Sequence, residues 1–242
     1  SPLFEGHTTD CVDGDYHSDH QEALPIHLSE NPGRARCFVE CGKPLPEYEV
    51  EIRNDAGEVL SDRHSGTIHV RGDSVMSGYF NAPEESAACL SEDGWLNTGD
   101  IGYQVDGSLI ITGRKKDLII INGRNIWPQD LEYLAEHQPE VRMGDALAFS
   151  VPGPENEEIC VLVVQCREAD ANKRASLVDR LNRLVHLELG IDVFVELVPL
   201  HTLPRTSSGK LSRSKARQNF IESHDLAKLA EEMSGELELK QG

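Results

Sequence analysis

The sequence predicts an α+β fold in two parts, a β-rich piece followed by a small βαββαβ domain, and three observations carry that expectation. Residues 37–112 break into short apolar runs separated by turn residues, the texture of strands and hairpins. From residue 118 onward, strand-like and helix-like runs alternate. The chain has 242 residues, with 38% hydrophobic and 27% charged side chains, enough for one large or two smaller domains with real cores. The predicted division places a β subdomain at 1–112, a joint at 113–117 and the second domain at 118–242.

Taken in order, residues 1–36 are polar, rich in His and Asp and without period, and read mostly as loop with at most short pieces of structure. Tyr48 to Arg53 and Gly66 to Arg71 have strand character, and a helix is expected near Pro83 to Leu90. Asp106-Gly107 between two apolar runs is a strong hairpin signal, because both turn positions must tolerate positive φ. Leu118 to Ile121 reads as a buried strand, and Pro128 opens a helix with Asp130 and Glu132 near its positive end. Ala146 to Val151 and Ile159 to Cys166 are nearly continuous apolar runs, as in strands covered on at least one side. Leu177, Leu181, Leu184 and Val185 mark a helix over 172–189 that Gly190 stops, and Val193 to Val198 is a last strand before a basic tail. Beyond it, Leu226, Leu229, Ala230 and Met233 have helical spacing and predict a short capping helix. Trp95 and Trp127 read as packing anchors.

Composition narrows the function. The 23 Lys and Arg against 42 Asp and Glu give a net charge of -19, which repels phosphate backbones and anionic lipid surfaces, so no nucleic-acid partner is expected. No run approaches the roughly 20 apolar residues of a membrane span. Six cysteines without a CxxC pair predict reduced thiols, and a start without a basic and apolar leader predicts a cytoplasmic protein, here as a fragment. His7, Cys11, Asp13, Asp15, His17, Asp19 and His20 crowd together, but in no zinc or EF-hand spacing, so the expectation is an acidic loop.

Two segments could carry chemistry. Leu203-Pro204-Arg205-Thr206-Ser207-Ser208-Gly209-Lys210-Leu211 makes a flexible, exposed turn with a cation at its tip, suited to meeting a phosphate or carboxylate oxygen. It is not a Walker A loop, since the first glycine is absent and Leu211 replaces the hydroxyl residue. The hairpin at Asp106-Gly107 returns the chain on itself and brings Asp100 and Arg114 to one end of it. A carboxylate there can accept from two sugar hydroxyls and a guanidinium can donate more, although the pair is equally consistent with a strand-end ion pair. Between His201 and Ile221, Arg205, Lys210, Arg213, Lys215 and Arg217 stand without a single acid. This local excess suggests a docking patch or steering field, or simply the end of a helix.

The stretches GYFNAPEES (78–86), DGWLNTGDIGY (93–103), GRKKDLIIINGRNIWPQDLE (113–132) and LPRTSSGKLSRSKAR (203–217) together resemble the adenylate-forming superfamily of acyl-CoA synthetases and adenylation domains. Asn122-Gly123-Arg124-Asn125 with Pro128-Gln129-Asp130 looks most like the fatty acyl-AMP ligases. The resemblance implies the last β subdomain of the large adenylation domain and the whole mobile C-terminal domain. It implies Asp100 and Arg114 as ribose ligands, Lys210 as the catalytic lysine, Lys116 as the hinge and Gly123 as the turn beside the pantetheine tunnel. Arg205, Arg213, Lys215 and Arg217 would form a carrier docking patch. The implied reaction activates a fatty acid with ATP, releasing the acyl-adenylate's AMP on transfer to the thiol of an acyl carrier protein. Free CoA as acceptor, or a non-catalytic carrier-binding module, are the alternatives. The resemblance places the phosphate loop and the Mg2+ ligand upstream of this chain, so no metal ligand is expected within it and the chain alone is expected to be inactive.

Overall fold

The computed structural model describes residues 9–14, 17, 20–27, 35–121, 123–154, 157–231 and 233. The fold is α+β, and the chain forms two compact units, Ser1–Lys116 and Asp117–Gly242.

The first unit is built on an antiparallel sheet of β3 (Glu49–Arg53), β4 (Gly66–Arg71), β5 (Leu96–Val105) and β6 (Ser108–Arg114), in that order. Asp106 and Gly107, at φ 49° and 79°, make the tight turn between β5 and β6 that their sequence predicts. The helix α1 (Pro83–Cys89) begins with its proline in the first turn, where no backbone donor is lost. Two further strands, β1 (Thr9–Asp13) and β2 (Ala35–Val39), pair antiparallel. The chain after β2 continues along β6, with Cys41 N donating to Leu109 O at 2.8 Å. Val12, Ala23, Tyr103 and Ile110 form the buried contact beneath this ribbon, joined by Phe38 and Val105.

The ribbon corrects one expectation. Cys11 and Cys37 face each other in the β1–β2 register with Cα atoms 4.0 Å apart, and they are disulfide-bonded rather than reduced. Residues 26 apart in the chain cannot be read as neighbours until the strand pairing is known. Cys41, Cys89, Cys160 and Cys166 are free. Of the His/Asp/Cys cluster, His7, Asp15 and Asp19 lie outside the described residues. Among the described residues no group of three His, Cys, Asp or Glu is placed to hold a metal. His17 is instead a core residue, 3% exposed, with Nε2 2.7 Å from Ser65 Oγ and its ring near Phe38 and Tyr103. Burial, with Arg36 nearby, pushes its pKa down to about 4.

The second unit contains the short hairpin β7 (Ile119–Ile121) and β8 (Arg124–Ile126), the helix α2 (Pro128–Glu136), strands β9 (Ala146–Pro152) and β10 (Glu158–Gln165), the helix α3 (Ala171–Leu189), β11 (Phe194–Val198) and α4 (Arg213–Ser223). Its sheet runs β11-β10-β9, with β10 antiparallel to β9 and parallel to β11. The near-continuous apolar runs arise because both faces of this sheet are covered. Ala146, Ala148, Cys160, Leu162 and Val164 meet Leu131 of α2 and Leu177, Leu181 and Val185 of α3. The alternate residues Leu147, Phe149, Val151, Ile159, Val161 and Val163 meet Ala216 and Phe220 of α4, together with Leu229. Asp170 caps α3 by accepting from Asn172 N and Lys173 N, and Gly190 ends it in the left-handed conformation.

The order ββαββαβα therefore extends the predicted βαββαβ by two elements. Strand β8 has only three residues, and Pro128 follows it closely, so its apolar content is too short to register. Helix α4 buries only Ala216 and Phe220, four residues apart, and its other positions are mostly polar. That spacing is a single contact stripe and looks like a charged tail in one dimension.

Candidate active site

In the first unit the β5–β6 register places Asp100 opposite Arg114. Arg114 Nε donates to Asp100 Oδ1 at 2.9 Å, with the two side chains 56% and 26% exposed. The backbone before Asp100 is fixed by side chains: Asn97 Oδ1 accepts from Gly99 N, and Thr98 Oγ1 accepts from Asp100 N at 3.1 Å while donating to Ile68 O at 2.9 Å. Thr98 thus ties the carboxylate's backbone to β4, a role that only the strand pairing reveals. Both side chains of the pair are partly exposed, and a carboxylate beside a guanidinium offers acceptors and donors of the kind a diol needs. Trp95, just before β5, is buried with the Arg53 and Arg71 guanidinium groups 4.9 and 4.7 Å from its ring, so it is a packing anchor rather than a free stacking surface.

Lys116 lies in a short 3-10 turn, Lys115–Asp117, and is the last residue of the first unit. Lys115 pairs with Asp55 in that unit. Gly123 stands at the turn between β7 and β8, at φ 77° with nothing within 4 Å of where a Cβ would lie. Its predecessor Asn122 is outside the described residues. Arg124 next to it donates to Leu189 O at 2.9 Å, pinning the hairpin to the end of α3.

Lys210 is exposed on a turn that is better tied than its Ser-Ser-Gly composition suggests. Thr206 N donates to Lys210 O at 2.8 Å, Gly209 N to Thr206 O at 2.9 Å and Ser212 N to Pro204 O at 2.9 Å. Arg205 Nη1 donates to Gly209 O at 2.9 Å and its Nη2 to Gly144 O at 3.3 Å. At the base, Leu203 N donates to the buried Gln165 Oε1, and Gln165 Nε2 donates to Asp145 Oδ1. The backbone is therefore fixed while the lysine stem extends into solvent, so the expected floppy turn is corrected to a braced one.

The four cations expected to form a docking patch do not face outward alike. Arg213 is turned inward onto Asp117, Glu132 and Ala148 O, so it leaves the patch. Arg217 Nε donates to Ser150 O and Arg205 braces the lysine turn, yet both remain exposed, as Lys215 is. Arg213 and Arg217, four residues apart, lie on one face of α4 against β9, Lys215 stands between them on another face, and Arg205 precedes the helix.

A family model described as AMP-binding enzyme matches residues 21–80. A putative acyl-CoA synthetase of Caulobacter vibrioides (strain NA1000 / CB15N) is 50% identical over 202 residues, covering 83% of this chain and 35% of the relative. A structure from a study of fatty acyl-adenylate ligases from E. coli and L. pneumophila superposes with TM-score 0.78 at 42% identity, over 88% of this chain and 37% of that one. The chain belongs to the adenylate-forming superfamily. Within the family, medium-chain-fatty-acid acyl-carrier-protein ligase JamA of Moorena producens (strain JHB) is 37% identical over 212 residues, covering 81% of this chain and 35% of that ligase. The chain thus spans about a third of the length of the curated relatives it matches. Among the described residues no helix is long and apolar enough to cross a membrane.

Proposed function

We propose that this chain is the C-terminal part of a fatty acyl-AMP ligase that activates a fatty acid with ATP and passes the acyl group to the phosphopantetheine thiol of an acyl carrier protein. The observation that carries this reading is the 42% identity and 0.78 TM-score to a fatty acyl-adenylate ligase across most of the chain. The name of the Moorena relative, a ligase to an acyl carrier protein, supports the acceptor.

In the first half-reaction a carboxylate oxygen of the fatty acid forms a bond to the α-phosphorus of ATP, and the bond to pyrophosphate breaks. Lys210 brings a positive charge on a braced turn to the oxygens that gain charge in that step, where preorganised electrostatic contact is most effective. Asp100 accepts from the ribose hydroxyls, and Arg114, held by its bond to Asp100, donates beside it. Mg2+ would neutralise phosphate charge and would be held by residues outside this chain. In the second half-reaction the thiol sulfur attacks the acyl carbonyl and AMP leaves. Gly123 lets the pantetheine arm pass close to the β7–β8 turn, and rotation about Lys116 exchanges Lys210 for Gly123 at the reacting centre.

A second reading has free CoA as the acceptor, favoured by the putative acyl-CoA synthetase of Caulobacter at 50% identity. The full-length ligase incubated with fatty acid, ATP and magnesium, with either CoA or a carrier protein, separates them. Acyl-carrier product supports the proposal, CoA thioester supports the second reading, and absence of any acyl-adenylate removes both.

A further inference from the structure

Arg213 is an expensive side chain to turn inward. It stands at the first position of α4, where the helix dipole is positive and a cation is disfavoured. Its side chain and those of Asp117 and Glu132 are only 18%, 19% and 16% exposed. Its three kinds of nitrogen are all used: Nε donates to Ala148 O at 2.7 Å, Nη1 to Asp117 Oδ2 at 2.9 Å and Nη2 to Glu132 Oε1 at 2.5 Å. Glu132 Oε1 also accepts from Ala148 N at 2.9 Å, so the helix α2 and the strand β9 are joined in the same network. A planar fork with fixed donor directions makes this possible, and a lysine could reach only part of it.

The sequence positions of the partners give the network its meaning. Arg213 follows the Lys210 turn by three residues, and Asp117 is the first residue of the second unit, directly after Lys116. One guanidinium therefore ties the chain entering the second unit to the chain leaving the lysine turn, with α2 and β9 as the body between them.

We propose that Arg213 is a positioning residue for adenylation, a clasp that makes the second unit turn as one rigid body about Lys116 so that rotation there is delivered to Lys210 without slack. It touches no substrate and acts through Asp117 and the lysine turn. The proposal rests on the roles given above to Lys116 and Lys210. The Gly123 turn is reached from Asp117 along β7 without passing through Arg213, so transfer to the thiol depends on the clasp far less than adenylation does.

The test uses the full-length ligase with Arg213→Met, Arg213→Lys and, as a separate gauge of the underlying reading, Lys210→Ala. Adenylation is followed by ATP–pyrophosphate exchange, transfer by the decay of preformed acyl-adenylate in the presence of thiol acceptor, and local order by amide hydrogen exchange. A slack of about 1 Å at the lysine costs up to about 100-fold. Arg213→Met should therefore lower kcat for adenylation about 30-fold with KM for ATP within about twofold, and leave transfer within about threefold. Exchange at residues 117–121 should quicken about tenfold while α3 keeps its protection. Arg213→Lys should be impaired in the same direction, because charge alone does not replace the fork, and it carries the test if the Met variant does not fold. Adenylation within twofold of wild type, equal loss of both half-reactions, or unchanged exchange at 117–121 would each overturn the clasp. If Lys210→Ala lowers adenylation and Arg213→Met does not, only the clasp fails. If Lys210→Ala leaves adenylation unchanged, the reading beneath it fails.

Discussion

Gly123 and Gly209 offer a matched pair of perturbations. Both have left-handed backbones, at φ 77° and 83°, both are exposed, and neither has any atom within 4 Å of the place a Cβ would occupy. An alanine at either position meets no neighbour and suffers only the backbone penalty, about 1–2 kcal/mol for an L residue in this region. The smaller freedom of alanine in the unfolded chain returns about 0.4–1 kcal/mol, so the net loss is about 1 kcal/mol in each case. That is a Tm decrease of about 4 °C for a unit of this size. The two variants should therefore be equally folded and equally destabilised, yet differ in function. Gly123→Ala places a methyl group where the pantetheine arm is proposed to pass, so transfer should fall at least about tenfold with adenylation within about twofold. Gly209→Ala strains the residue before Lys210, whose amide and carbonyl close the turn with Thr206 and Arg205, so adenylation should fall about tenfold with transfer nearly unchanged. Single-turnover pyrophosphate release and acyl-thioester formation measure the two steps in the full-length ligase. If each variant loses both steps in proportion to its lowered Tm, the division of labour between the two turns is refuted.

Three other outcomes follow from the same structure. Lys210→Ala should lower adenylation by about 100-fold or more with little change in Tm, and near wild-type pyrophosphate release would remove Lys210 from the mechanism. Lys116→Pro fixes one backbone torsion and restrains Lys115, so one half-reaction should be lost far more than the other, and an equal loss with unchanged circular dichroism would exclude a hinge at this position. His17 has its pKa pushed from 6.5 to about 4 in the folded chain, so the unfolded chain takes up the proton first on acidification. Its contribution is complete above pH 6.5 and is lost as pH falls towards 4, amounting to about 3 kcal/mol. Urea unfolding of His17→Gln should show a shallower loss of stability between pH 6.5 and 4 than wild type, and parallel curves would refute the buried neutral histidine.

Residues whose meaning is local were legible in the sequence. Asp106-Gly107 names its own turn, Pro128 its own helix start and Gly190 its own helix end, because each is decided by the torsions of one or two residues. The register of Asp100 with Arg114 follows from that first turn by counting along two strands. What the sequence does not show is which remote residues pair with which. The β1–β2 ribbon and its disulfide join residues on either side of a long polar segment, and neither strand has a pattern strong enough to stand alone. Asn122-Gly123 was a hairpin signal of the same kind as Asp106-Gly107, but the three-residue strands beside it were too short to claim it. Arg213 reads with its basic neighbours because a sequence gives charge without direction. The three acceptors that turn it inward lie 65 to 96 residues away.

The residues proposed to act share a construction that bears on how the reaction could be organised. Asp100 is set by Asn97 and Thr98, Gly123 by the bond from Arg124 to Leu189, and Lys210 by Thr206 and Arg205. Each of these groups is thus held by hydrogen bonds within its own unit. Conformational entropy that would otherwise be lost when substrate binds has already been lost in folding, which favours catalysis by fixed groups over catalysis by mobile ones. In the proposed reading, the joint at Lys116 is where the relative position of the two units changes. A rotation there can exchange one preformed turn for another only if the moving unit does not yield at its attachment point. That requirement gives a physical reason for burying a guanidinium at the wrong end of a helix, where stability alone would favour an uncharged residue.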